Sequence, residues 1–234
     1  MKSRPLEQML AEFDEAIAFC RDPLKLREPL ARSRFITHHR PLIEKLCASL
    51  RAGEDTDAIF RADSVASSIA LTEAEELVQL LPLLRAVETK LLRQKIERAL
   101  LGPPIPTEEE QNSSKGRNML FELVMAGKLM QAGYEPILGE HPDLACYVDG
   151  RRLLIECKRP GFQDAARKRI KEAGGQLAHQ LRNWKSGAGT RGVVAVSLTK
   201  AIQPGLGVKG SPSPSSGRPV SDSGRSPELR PRIG

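Results

Sequence analysis

Aromatic residues, cysteines and long apolar runs are all scarce in this chain, and each scarcity removes a class of function. Aromatics make up 4% of the 234 residues, with a single Trp, so a platform on which successive bases stack is not expected. Cys20, Cys47, Cys146 and Cys157 are scattered, without a CxxC pair or zinc-ligand spacing. Neither a disulfide framework nor a structural zinc site follows from them. The adjacent His38 and His39 have no Cys or acidic residue at ligand spacing and are assigned no chemistry. Every apolar run falls far short of the roughly 20 residues that cross a bilayer. The N-terminus, MKSRPLEQMLAEFDEA, turns acidic and amphipathic at once, unlike a secretory signal. The expectation is a reduced, cytoplasmic protein with no membrane span.

Charge is distributed unevenly. Residues 1–113 hold 16 basic and 19 acidic side chains, residues 114–200 hold 15 and 8, and residues 201–234 hold 5 and 2. The net charges are therefore −3, +7 and +3, which sum to the +7 of the whole chain. A cationic middle segment draws polyanions and supports salt-dependent binding to phosphates.

Hydrophobic periodicity divides the chain in the same places. Residues 1–101 read as helical: Leu6, Met9, Leu10, Phe13 and Ile17 form one stripe, and Leu42, Ile43, Leu46 and Leu50 a second. A third helix is expected from an N-cap at Thr72, with Glu75 completing a capping box, through Leu77, Leu80, Leu84, Val87, Leu91 and Ile96, bent near Pro82. Residues 102–113 have the polar, proline-punctuated composition of a linker. From residue 114 the pattern becomes a helix over 115–131, short strands at 134–138, 143–148 and 152–157, and a long helix over about 163–185 with a weak point at Gly174 and Gly175. GVVAVSL at 192–198 has the look of a buried strand. Residues 201–234, rich in Ser, Pro, Gly and Arg, are expected to be disordered, as in a domain truncated or read out of frame.

The stretch HPDLACYVDGRRLLIECKRP carries the chemistry. Asp149-Gly150 between two apolar runs signals a two-residue type I′ hairpin. Asp143 then opens the incoming strand, while Glu156 and Lys158, two apart on the outgoing strand, leave the same face of the sheet. Two carboxylates and an ammonium group are thereby gathered where a divalent ion can sit. Mg²⁺, with Mn²⁺ as the alternative, takes carboxylate, carbonyl and water oxygens, which Asp143, Glu156 and the Cys157 carbonyl can supply. Lys158 would position an attacking water or stabilise the developing charge. Glu122 lies in RNMLFELVMAGKLM, a helix apolar on nearly every side, where an unpaired carboxylate is costly. A metal, a water on that metal or Lys158 would compensate it, making Glu122 a candidate for a second metal site or its outer shell.

Taken together, Pro142-Asp143, Glu156-Cys157-Lys158 and the upstream helical Glu122 resemble the PD-(D/E)XK, or restriction-endonuclease-like, nuclease superfamily over residues 114–200. That resemblance implies an αβββαβ core with a mixed sheet, preceded here by an all-helical region. It implies that Asp143 and Glu156 hold the metal, that Lys158 serves the attacking water, and that Glu122 is the acidic residue of the first core helix. Gln176 and Gln180 match the polar position of the second core helix. Arg151, Arg152, Arg159, Arg167, Lys168, Arg169 and Lys171 are the expected phosphate contacts, with DNA as the first partner. The chain departs from the pattern after its last strand, where no further helix is recognisable. The alternative is a catalytically inactive module of the same fold that binds nucleic acid, or one whose N-terminal helices bind a protein partner or a second copy.

Overall fold

Amphipathic stripes in the first hundred residues build a helical layer, and the hairpin sequence builds a sheet against it. The computed structural model describes residues 5–55, 58, 60–61, 64–86, 90–104, 115–160, 163–183 and 189–199. Most of the expected linker and the whole of 201–234 lie outside the described residues. The helical part comprises α1 (Leu6–Arg21), α2 (Arg27–Ala31), a π-type turn (Phe35–His39) leading into α3 (Arg40–Ala52), α4 (Ser64–Val78), α5 (Leu81–Ala86) and α6 (Lys90–Leu100). There follow α7 (Lys115–Gln131), β1 (Ile137–Leu138), β2 (Leu144–Val148), β3 (Arg151–Lys158), α8 (Gln163–Asn183) and β4 (Arg191–Val196). The protein is thus mixed α/β. Among the described residues no helix is long and apolar enough to cross a membrane.

The sheet has the order β1-β2-β3-β4, with β2 antiparallel to both β1 and β3 and β4 parallel to β3. At the hairpin, Asp149 and Gly150 have φ of 49° and 71°, the pair of left-handed residues that a type I′ turn requires. The turn sets Val148 opposite Arg151 and carries the register to Leu144 opposite Ile155. Alternation then separates two faces. Leu144, Cys146, Ile155 and Cys157 join the large core shared with α7 and the helical layer, whereas Ala145 and Leu154 meet Leu177 and Leu181 of α8.

One buried cluster runs without interruption from Met9 to Cys157, so the helical layer and one face of the sheet share a core. Helix α7 is the joint between them. Its Gly116 and Gly127 approach the carbonyl oxygens of Leu101 and Gln79 so closely that a Cβ at either would collide with backbone. A buried charge network reinforces the joint. Glu73 accepts from Arg34 of the first layer and Arg117 of α7, and His39 Nε2 lies 3.2 Å from it. Burial alone would push the Glu73 carboxyl up, but Arg34, His39 and Arg117 outweigh it and hold the group well below the carboxylate range. Arg34 also donates to the carbonyls of Ala99 and Leu101 at 3.1 and 2.7 Å, and Arg117 to those of Pro103 and Pro104 at 2.9 and 3.0 Å.

Several sequence expectations need correction. Helix α4 spans Ser64–Val78, which puts Thr72 inside it. Ile69 and Ala70 are buried in register with Ala74 and Leu77, so the apolar stripe carries the helix back past the capping candidate. Pro82 produces a break: α4 ends at Val78 and α5 starts at Leu81, which places the proline in a first turn where its missing N–H costs nothing. Helix α8 runs through Gly174 and Gly175 without interruption. Among the described residues β4 is an edge strand, with Val193 43% exposed; β-branched residues suit a sheet edge as well as its centre. His39, assigned no chemistry, is buried edge-on against Phe35 at 5.5 Å between ring centroids.

Glu73→Ala leaves two buried guanidinium groups uncompensated and is expected to cost about 3–5 kcal/mol. Urea denaturation checks this, and a loss below about 1 kcal/mol would show that the network does not hold the layers together.

Candidate active site

The hairpin register puts the residue before β2 beside the last residues of β3. Asp143 Oδ2 accepts from the Cys157 backbone N–H at 2.7 Å, which ties the start of one strand to the end of the other. Glu156 and Lys158 leave the α8 face of β3, and Lys158 Nζ donates to Glu156 Oε2 at 3.1 Å. The other oxygen, Glu156 Oε1, accepts from Gln180 Nε2 of α8 at 2.9 Å. Of the two glutamines singled out in the sequence, Gln180 reaches the site; Gln176 is exposed.

Glu122 enters from α7. It is 8% exposed and its Oε2 accepts from Lys95 Nζ of α6 at 2.7 Å. The sequence points to a metal, its water or Lys158 for compensation; the structure supplies instead an ammonium group from the helical layer. Lys95 could have been noticed, since it sits with Leu92, Ile96 and Ala99 on the buried stripe of α6, where a lysine has no reason to be without a partner.

Glu122 and Asp143 line one cleft of about 310 Å³ together with Gln94, Lys95 and Arg98 of α6 and with Glu140 and His141. Glu156, 1% exposed, lies behind Lys158 and Gln180 and contributes nothing to the cleft lining. Of the three carboxylates Glu122, Asp143 and Glu156, only Asp143 makes no ion pair with a lysine among the described residues. Burial, then Glu122 and Glu156, push its carboxyl up to about 6, against the lowering effect of the Cys157 N–H and Lys158. Among the described residues no three His, Cys, Asp or Glu side chains stand preassembled as a metal-ligand group. Glu122 and Glu156 are instead engaged by Lys95, Lys158 and Gln180.

The expected phosphate contacts separate into two sets. Arg151, Arg167, Lys168, Arg169 and Lys171 are exposed, Arg169 pairing with Glu172 at 3.1 Å. Arg152 is half-buried on β3, lining with Arg151 and Arg191 a basic cleft at the turn end of the sheet. Arg159 is different: it is 9% exposed and donates to Glu76 Oε2 of α4 at 2.9 Å. Its guanidinium faces the helical layer, and burial leaves the Glu76 carboxyl raised despite that pairing. Arg159 belongs to the joint between layers and does not present its charge to a ligand.

Compared with protein-family models, curated proteins and solved structures, the chain matches none.

The raised Asp143 carboxyl has a consequence for stability. The folded state keeps this proton to about pH 6, whereas the unfolded chain releases it near the ordinary 3.8. Between those values the folded state binds more protons, so stability falls as pH rises through the window and stays lower above it. Asp143→Asn, in metal-free buffer at pH 8, is expected to be more stable than the parent by roughly 1–3 kcal/mol, the upper end being two pKa units and the lower end allowing for solvent screening. The gap should close below about pH 4, where Asp143 is protonated in both states. Thermal melts across that range check it; equal stability at pH 8 would contradict the geometry.

Proposed function

We propose that this protein is a metal-dependent nuclease of the PD-(D/E)XK type, hydrolysing phosphodiester bonds in nucleic acid, DNA first. The observation that carries the reading is the closed end of the hairpin, where Asp143 is bonded to the Cys157 N–H and stands beside the Glu156–Lys158 pair. Support for the restriction-endonuclease-like core comes from element order and pairing: α7, then antiparallel β1, β2 and β3, then α8, then β4 parallel to β3.

Among the described residues the acidic side chains do not stand assembled as a ligand group, and they would suit a divalent cation once Lys158 turns away from Glu156. The Asp143 carboxyl is raised first by burial and then by the neighbouring Glu122 and Glu156, and a hard cation relieves the carboxylate repulsion. Asp143, Glu156 and the Cys157 carbonyl would hold it, with Glu122 alongside. When bound, such an ion polarises a phosphate and lowers the pKa of a coordinated water.

The chain's own groups do the rest. The Cys157 N–H orients the Asp143 carboxylate, and Gln180 with Lys158 fixes Glu156. Lys158 is 21% exposed at its side chain, so its ammonium group can turn from Glu156 to a water or to a phosphate oxygen as charge builds there. Exposed Arg167, Lys168 and Lys171 on α8 supply backbone-directed attraction for a polyanion.

Incubation of the protein with single- and double-stranded DNA and RNA in Mg²⁺ or Mn²⁺ tests the reading. Cleavage should require the ion, and Asp143→Asn and Lys158→Met should each lower the rate by at least about 10²-fold while circular dichroism stays unchanged. Salt-sensitive DNA retention without hydrolysis, indifferent to both substitutions, would overturn catalysis and leave a nucleic-acid-binding module.

A further inference from the structure

The turn end of the sheet carries a second cleft, remote from Asp143. Its volume is about 410 Å³, and Val148, Asp149, Arg151, Arg152, Leu153 and Arg191 line it. Six steps along β3, about 20 Å at the rise of a strand, separate Arg151 from Cys157, whose N–H holds Asp143.

Strand pairing brings the arginines together there. Leu153 stands opposite Arg191 in the parallel pair, and Arg151, two residues before Leu153, leaves the same face. The Cα atoms of Arg151 and Arg191 are then about 8 Å apart, so two guanidinium groups can reach one ligand. The Arg151 side chain also leans toward β4: its Cγ lies 3.8 Å from where a Cβ on Gly189 would stand, two residues before Arg191. Half-buried Val148 and Leu153 supply the apolar lining, and Arg152 adds a third guanidinium group. Against these three positive charges the lining sets the one carboxylate of Asp149, a balance of two positive charges.

Elsewhere on the surface arginines are matched by carboxylates: Arg40 pairs with Asp14, Arg51 with Glu7 and Arg85 with Glu15. Arg151 and Arg191, both exposed, make no ion pair among the described residues. Like charges held side by side repel, and an anion that both can share relieves the repulsion. A carboxylate offers two oxygens in one plane, which a single guanidinium fork covers. A phosphate group presents its oxygens in tetrahedral array, so forks arriving from two strands can each take a different edge.

We propose that the Arg151–Arg191 cleft is a binding site for a phosphate group, separate from the candidate active centre. The group is a free phosphate, the terminal monoester of a nucleic acid or a diester of its backbone. The site goes beyond the nuclease reading and stands without it, since its chemistry needs neither Asp143 nor a metal.

Isothermal titration into the full chain in EDTA tests the proposal with three probes: inorganic phosphate, and one single-stranded oligodeoxynucleotide carrying either a 5′-phosphate or a 5′-hydroxyl. At least one probe should bind, and Arg151→Gln and Arg191→Gln should each weaken it by about tenfold or more. Both side chains are exposed, so thermal melts of the variants should match the parent. Lys45→Gln, which removes an exposed charge on α3, should change the affinity by less than about twofold. Tighter binding of the 5′-phosphate form, with the difference lost in Arg151→Gln, identifies a terminal monoester. Equal binding of the two oligonucleotides, equally weakened, identifies a backbone diester, and binding of inorganic phosphate alone identifies a free anion. Binding of no probe, indifference to either arginine substitution, or the same loss in Lys45→Gln overturns the site. Failure of the cleavage assay leaves it untouched.

Discussion

A two-residue turn governs the site. Asp149 and Gly150 both adopt left-handed backbone conformations, a demand that few residue pairs meet without strain. Once met, it leaves no freedom in the register of β2 against β3, because a slip by one residue would exchange the two faces of each strand. Leu144 and Cys146 would leave the core, and Asp143 would lose the Cys157 N–H. The chemistry at one end of the hairpin is thus enforced by apolar packing along its length and by a turn at the other end.

Around that frame, charge is gathered where it is expensive and then compensated from a distance. Glu73 is matched by two arginines, Glu76 by Arg159 and Glu122 by Lys95. Buried pairs of this kind contribute little net stability over apolar packing, but removing one partner is costly. Each pair here crosses a boundary between elements distant in sequence. Their effect is to fix the helical layer relative to the sheet, so that α6 presents its polar positions to the cleft that Asp143 opens into.

The parts of this architecture that follow local rules were legible in the sequence. Helix α7 occupies the span its apolar pattern indicated, the Asp149-Gly150 turn forms, and Glu156 and Lys158 share a face because a strand alternates every residue. Gln180 reaching Glu156 could be narrowed only to one of two glutamines, since helix phase relative to the sheet is a tertiary quantity. What stayed hidden depends on partners far along the chain. Lys95 meets Glu122 from 27 residues away and Arg159 meets Glu76 from 83, and no local pattern distinguishes such residues from solvent-exposed charges. A charge on an apolar stripe was the available signal at Lys95, Glu73 and Glu76. The run of α4 through Thr72 and the exposure of Val193 on β4 depend likewise on what packs beside them.

In the proposed site, Asp143 is the carboxylate that a divalent ion would meet first, since Glu122 and Glu156 already pair with Lys95 and Lys158. Anomalous diffraction from crystals of the full chain soaked in Mn²⁺ addresses it most directly. The account expects one anomalous peak within bonding distance of the Asp143 carboxylate in the parent and none there in Asp143→Asn. A peak elsewhere on the molecule with none beside Asp143, or the same peak in both proteins, would contradict it.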